Sequence, residues 1–590
     1  MKRSEINEKY KWKIEDIYQT DKDFYADLKV VEKDISFDEF RNKLNDEAVL
    51  FACYKKLYNL LAVLEKLSVY AMMKRDENGA DSKAMELGDA VDSVYLKLSL
   101  NTAFITPELS SLSVDRLTEL KNSKLLKDYD RDIDSIIKNK AHVLSEECES
   151  LLASTSKVLG GYNEIFGIIN NVDLKFPTIK VDGKKVKLTH ANYSLLLQST
   201  DRNVRKKAFK AYYKAFNDVL NTITAVYRGN LYKDVFVKKA RKFDSCLDKA
   251  LFYEEVDKSV YEKLLSCVND NLPVLHDYVK FRKDYLGYDN LYMYDIYAPM
   301  FEGVELALEF EDAYNLVKEG LKPLGSDYIS ILDKALTERW IDVYETEGKR
   351  SGAYSVSVYN IKHPYVLLNH NKTTHSIFTI AHEMGHAIHS YKSNASQPQS
   401  KADYKIFVAE VASTVNEILL IKYLINKETD VKTKRYLLSY YLDTIRTTLF
   451  RQTMFAEFEY KAHNLAENDK PLTKEEFNKI YLKLNKKYYG KSIISNKEIA
   501  YEWARIPHFY RAFYVYKYAT GIISAINIAE NILKNGDIAV ENYFKFLSSG
   551  STDTPVELLK IAGVDLTTDA PYEVAMQSFA SALNELKNLQ

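Results

Sequence analysis

His382-Glu383-Met384-Gly385-His386 sets two imidazoles at i and i+4, with a carboxylate directly after the first. On a helix those rings share one face, a turn apart, and can reach a single metal ion. Zinc suits the pair, since it takes neutral imidazole nitrogen and keeps a position open for water in catalytic centres. Glu383 is then placed to accept a proton from that water. From this composition the pattern arises by accident in roughly one or two chains in a hundred of this length, so its surroundings must decide. Ile377, Phe378, Ile380, Ala381, Met384 and Ile388 recur at helical spacing and supply the helix that the motif needs.

A catalytic zinc needs a third protein ligand. Residues 407–417 read as an apolar helix on which Glu410, Thr414 and Glu417 fall on one face. Carboxylates there are costly unless a cation meets them. Glu410 is the expected third ligand; the plain alternative is that it caps the helix or pairs with a lysine. His389 competes for the role. It lies about 10 Å along the helix axis from His382, too far to share an ion held by His382 and His386, and is expected to be structural.

The zinc helix followed by Phe407-Val-Ala-Glu-Val-Ala-Ser-Thr414 resembles the M3 zinc oligopeptidases, in particular the oligoendopeptidase F branch. Gly352-Ala353-Tyr354-Ser355, Ile506-Pro-His-Phe-Tyr510 and Phe513-Tyr-Val-Tyr-Lys-Tyr-Ala-Thr-Gly521 extend the likeness over nearly the whole chain. The resemblance implies a mainly α fold: two helical lobes around a deep substrate channel, with a gluzincin-like core and a small β-sheet. It implies a metalloendopeptidase that hydrolyses internal bonds of short oligopeptides in cytosolic peptide turnover, with one Zn2+ per chain. It places Gly352 to Ser355 on the substrate-binding strand, where a peptide can add by main-chain hydrogen bonds.

The resemblance also puts a catalytic His and Tyr pair in the segment that starts at His508. Spacing alone makes Tyr510, Tyr514 and Tyr518 an i, i+4, i+8 aromatic packing face. The family pattern instead makes His508 and Tyr518 donors to the oxyanion of the tetrahedral intermediate, with Tyr510 a further candidate and Tyr514 its alternative. Another H-E-x-x-H enzyme, such as an aminopeptidase, would need an acidic anchor for the substrate amine, and none is evident near Gly352. A non-catalytic peptide binder on the same fold would have no use for Glu383.

Length and charge agree with such an enzyme. A chain of 590 residues can bury more than one core, and a formal charge of −1 offers no field for nucleic acid or anionic membrane. Eleven prolines and 19 glycines favour long helices. Cys53, Cys148, Cys246 and Cys267, with no C-x-x-C, are expected to be reduced, buried thiols of a cytoplasmic protein. The first residues have no apolar run of a signal peptide, and charge breaks every long apolar stretch. Oligomeric state is not legible.

The elements follow from the periodicity. Residues 20–165 read as amphipathic helices, with Leu57, Leu60, Leu61, Leu64 and Leu67 on one stripe and starts at Asp21, Thr106 and Ser145. Residues 176–188 alternate about Asp182-Gly183, predicting a β-hairpin that closes an N-terminal lobe, 1–190, ahead of a catalytic domain, 191–590. Helix resumes at Thr200, and Tyr285 to Pro299 reads as an irregular connection. Short strands are expected at 353–359 and 365–369, before the zinc helix.

Overall fold

The structure, a computed structural model, describes residues 1–301 and 303–589. Helices make up most of it, with three small sheets of two, two and three strands. The chain forms two compact units. The first comprises Met1–Ala141, Glu305–Leu424 and Asn527–Val564; the second comprises His142–Val304, Ile425–Ile526 and Asp565–Gln590. These interleaved units do not coincide with a division at residue 190. The predicted hairpin forms, from Thr178–Val181 and Lys184–Lys187, but it belongs to the second unit. Asp182 and Gly183 turn it with φ of 49° and 75°, the paired positive values that a tight I′ turn requires.

The core of the first unit gathers around the helices Glu47–Glu77 and Ser82–Thr102. Leu60, Leu64 and Leu67 are buried in it, as the stripe requires, while Leu57 and Leu61 pack at its margin. Ser145 caps Glu146–Ser154 as expected. Asp21 opens Asp21–Lys33, but the cap is Thr20, in a capping box with Asp23. Thr106 lies inside Ile105–Ser111, whose start follows Phe104.

The sheet that precedes the His382 helix has three strands in the order Ile341–Asp342, Tyr365–Leu367, Tyr354–Val356. The first two run parallel; the last two run antiparallel, Tyr354 opposite Leu367 and Val356 opposite Tyr365. Both expected strands are present but shorter, and Ile341–Asp342 is an addition that two residues could not announce. Tyr365 and Leu367 fix the sheet to the N-terminal core. Tyr354–Val356 is an edge strand. Lys349 anchors the turn leading into it: its buried ammonium meets Asp342 at 2.7 Å and the carbonyls of Tyr344 and Leu368 at 2.6 and 2.5 Å. Gly348 and Gly352 bound that turn with φ of 83° and 85°, values that suit glycine.

In the second unit, 285–299 carries one two-residue strand, Leu291–Tyr292, parallel to Ile493–Ile494. Buried Asp295 holds the segment by accepting from Arg202 and Arg205. Cys53, Cys246 and Cys267 are buried free thiols; Cys148 is exposed, against expectation. Burial pushes Cys53 and Cys267 up to about 12.

Candidate active site

The His382 helix runs Thr374–Ser396 and starts at a capping box between Thr373 and Ser376. The Glu410 helix runs Ile406–Lys427. The two pack at unusually short range because Gly385 has no side chain. A Cβ there would meet Cα of Ser413 at 2.6 Å and the carbonyl of Ala412 at 2.7 Å. Asn416 adds a buried tie, donating to the Ala381 carbonyl at 2.9 Å and accepting from the Tyr328 hydroxyl at 2.9 Å.

This packing brings His382, His386 and Glu410 together. Nε2 of His382 and Nε2 of His386 lie 3.2 Å apart, and each lies near Oε2 of Glu410, at 3.4 and 3.5 Å. The triangle is almost equilateral. Ligands held tetrahedrally at about 2.0–2.1 Å from zinc stand about 3.3–3.4 Å from one another. The three atoms thus already have the spacing of one face of a zinc tetrahedron. Among the described residues this is the group with metal-ligand spacing.

The electrostatics point the same way. Nδ1 of His382 lies 2.5 Å from Oε1 of Glu417, which accepts its proton and turns Nε2 toward Glu410 and His386. Burial opposes charge on His382, yet hydrogen bonds to Glu410 and Glu417 hold its pKa well above the ordinary value. Burial likewise opposes ionisation of Glu410, yet His382 and His386 hold it far below the usual carboxylate range. The group draws positive charge to its centre, and zinc fits its donor set.

Glu383 is buried beside the triangle. Burial raises its pKa, and the neighbouring imidazoles only partly offset the rise. His389 is placed elsewhere: 1% exposed, it stacks on Tyr404 with ring centres 3.7 Å apart. Desolvation lowers its pKa to about 3, which keeps it neutral.

The segment from Gly352 to Ser355 leads into and forms the edge strand. Asn369 donates to the Gly352 carbonyl at 2.7 Å, and the Tyr354 hydroxyl donates to Asp76 at 2.9 Å.

In the second unit, the three tyrosines do not form one helical stripe. Pro507–Tyr510 is a 3-10 turn, Phe513 adopts a left-handed φ of 54°, and helix resumes only at Tyr516–Asn535. The turn folds Tyr514 onto His508, with ring centres 5.7 Å apart, and the Tyr518 hydroxyl lies 3.2 Å from His508 Nε2. Burial and then Arg511 lower the His508 pKa, favouring the neutral ring. Tyr510 stacks instead on Phe166, and its hydroxyl is buried with no hydrogen-bond partner among the described residues. Buried Glu459 holds the turn by accepting from the Phe513 amide at 2.7 Å.

Gly385, Asn416, Tyr328 and Glu459 escape the sequence reading. A glycine inside an otherwise sound helix was the available sign for Gly385; Tyr328 and Glu459 come from distant segments and give none.

Comparison with known proteins decides the family. The model of peptidase family M3 matches residues 195–578, and that of oligopeptidase F matches 108–176. The chain belongs to peptidase family M3. It is 40% identical to oligopeptidase PepF of Bacillus subtilis, over 100% of this chain and 88% of that one. It is 37% identical to an oligoendopeptidase F homologue of Borreliella burgdorferi, covering 100% and 99%. The crystal structure of oligoendopeptidase-F from Enterococcus faecium superposes with a TM-score of 0.72 at 35% identity, covering 96% and 97%. This M3 chain is accordingly a metallopeptidase, a hydrolase. Its mainly α architecture is that of these relatives.

Proposed function

We propose that this M3 peptidase is a zinc-dependent endopeptidase of short oligopeptides, with His382, His386 and Glu410 as ligands and Glu383 as general base. The observation that carries the reading is the triangle of 3.2, 3.4 and 3.5 Å between the three ligand atoms, with buried Glu383 on the same helix. The names of its relatives support oligopeptides as substrates.

Bound in the triangle, zinc supplies a Lewis acid that polarises the scissile carbonyl and makes water more acidic. The protein's own groups do the rest. Glu383 accepts a proton from the attacking water and passes it to the nitrogen of the leaving amine. Glu417 holds His382 in the tautomer that presents Nε2. Tyr518 and His508, side by side, are proposed as donors to the developing oxyanion on the strength of the family pattern. The free edge of Tyr354–Val356 supports binding of an extended peptide through its backbone, beginning at Gly352 and Ala353 and including Ser355. On this reading the catalytic domain is 191–590, the part that contains every named group.

No helix among the described residues is long and apolar enough to cross a membrane. Three buried free thiols fit a reducing compartment and support a cytosolic role in peptide turnover. Chelation tests the metal. A fluorogenic peptide should be cut, cutting should stop on zinc removal, and stoichiometric zinc should restore it. Full activity in metal-free protein would overturn the reading.

A further inference from the structure

The second unit holds a group of charged side chains for which the peptidase reading has no task. Arg446 and Arg282 share Asp443: Nε of Arg446 is 2.8 Å from Oδ1, and Nη1 of Arg282 is 3.3 Å from Oδ2. Arg451 and Arg505 share Oε1 of Glu502, at 2.6 and 3.1 Å. The other oxygen of Glu502 accepts from the Tyr481 hydroxyl at 2.5 Å. Two carboxylates therefore serve four guanidinium groups. The other groups acting on Arg446 are the tyrosines Tyr297, Tyr489 and Tyr278. Arg282 and Arg446 are each 1% exposed. Positive charge in excess at such depth is costly unless an anion meets it.

The backbone brings the two pairs together. Arg446–Phe450 is a single π turn between the helices Val431–Ile445 and Arg451–Glu467. Its hydrogen bonds run from i to i+5, so residues five apart come to one face, and such turns recur at functional sites. Here those residues are Arg446 and Arg451. Both act on Tyr297. The guanidinium of Arg446 sits 4.9 Å from the centre of the Tyr297 ring. Burial opposes ionisation of the Tyr297 hydroxyl, but Arg451 and Arg446 hold it below the usual phenol range. Nη1 of Arg446 is buried and has no hydrogen-bond partner among the described residues.

We propose that Arg446, Arg451 and Tyr297 form a binding site for a small monovalent anion, a carboxylate or a halide, held by Nη1 of Arg446 and the Tyr297 hydroxyl. The carboxylate could be dissolved or the C-terminus of a peptide, and only the latter source rests on the peptidase reading.

The test uses the zinc-loaded full chain. Melting temperature is followed at constant ionic strength in sodium chloride, sodium acetate and the sodium salt of a bulky sulfonate buffer. Chloride or acetate should raise it above the sulfonate value, and Arg446→Gln should weaken the apparent affinity roughly tenfold. Crystals in sodium bromide should show an anomalous peak beside Arg446 and Tyr297, a check that needs no variant. KM for a peptide acid against its amide identifies the source. A preference for the acid that Arg446→Gln abolishes assigns a peptide C-terminus; equal KM values with a salt effect assign a dissolved anion. Both uphold the site. Equal melting in all three salts together with no bromide peak overturns it. Melting and scattering need no turnover, so failure here is separate from failure of the peptidase reading.

Discussion

Nδ1 of His382 stands 2.5 Å from Oε1 of Glu417, while Nε2 of the same ring stands 3.4 Å from Oε2 of Glu410. On the proposed reading one carboxylate fixes the tautomer and the other would share the ion. Glu417→Ala should weaken zinc binding about 10–100-fold, as loss of such a supporting carboxylate does elsewhere. Glu417→Gln, which keeps an acceptor oxygen, should lose less. Competition against a chromogenic chelator measures both. Unchanged affinity in Glu417→Ala would leave the contact without a role.

Gly385→Ala tests the close packing of the two helices. Its methyl would enter space held by Ser413 Cα and the Ala412 carbonyl, which are backbone and cannot turn aside. Overpacking of this kind costs about 1–3 kcal/mol, and here it also spreads the ligand triangle. Melting temperature and zinc affinity should fall together. A stable variant with normal affinity would show that the helices have slack.

Glu410→Ala should release zinc, whereas His389→Phe should keep it, by mass spectrometry of dialysed protein. His389 also predicts a pH effect. Unfolded, it takes up a proton as pH falls through 6.5; folded, it stays neutral down to about 3. The unfolded state binds more protons in that window, so this contribution to stability is full above pH 6.5 and drains away on acidification. His389→Phe should therefore lose less melting temperature between pH 7 and 5 than the parent. An equal loss would mean that His389 does not titrate on unfolding.

Tyr518→Phe should lower kcat roughly a hundredfold with little change in KM, because its hydrogen bond strengthens only as the oxyanion forms. Tyr510→Phe should leave kcat near normal, since that ring packs on Phe166. Glu459→Ala, which frees the Phe513 amide, should lower kcat in the same direction as Tyr518→Phe, and Glu459→Gln should restore much of it. Normal kcat in Tyr518→Phe would return the tyrosines to a packing role.

The His382 helix was legible because its pattern is local: two rings and a carboxylate within about one turn of helix. Glu410 was legible because a carboxylate on an apolar helix demands a partner. The same logic set His389 aside by distance, and the structure buries it against Tyr404. The tyrosine stripe misled because periodicity assumes a continuous helix, and Phe513 breaks it with a positive φ. Asn416 and Tyr328 were hidden because their bond joins residues 88 positions apart. The compact units were hidden for the same reason: they are set by contacts between distant segments, while the hairpin was read from its own turn residues.

On the proposed mechanism Glu383 moves the proton while His382, His386 and Glu410 hold the metal. Glu383→Gln separates the two tasks, because the amide keeps the shape of the side chain but cannot accept the proton. Zinc content and cleavage of a fluorogenic peptide should be measured on one preparation of this variant. The variant should hold one zinc per chain and lose nearly all turnover. A zinc-loaded Glu383→Gln enzyme with parental turnover would contradict this mechanism.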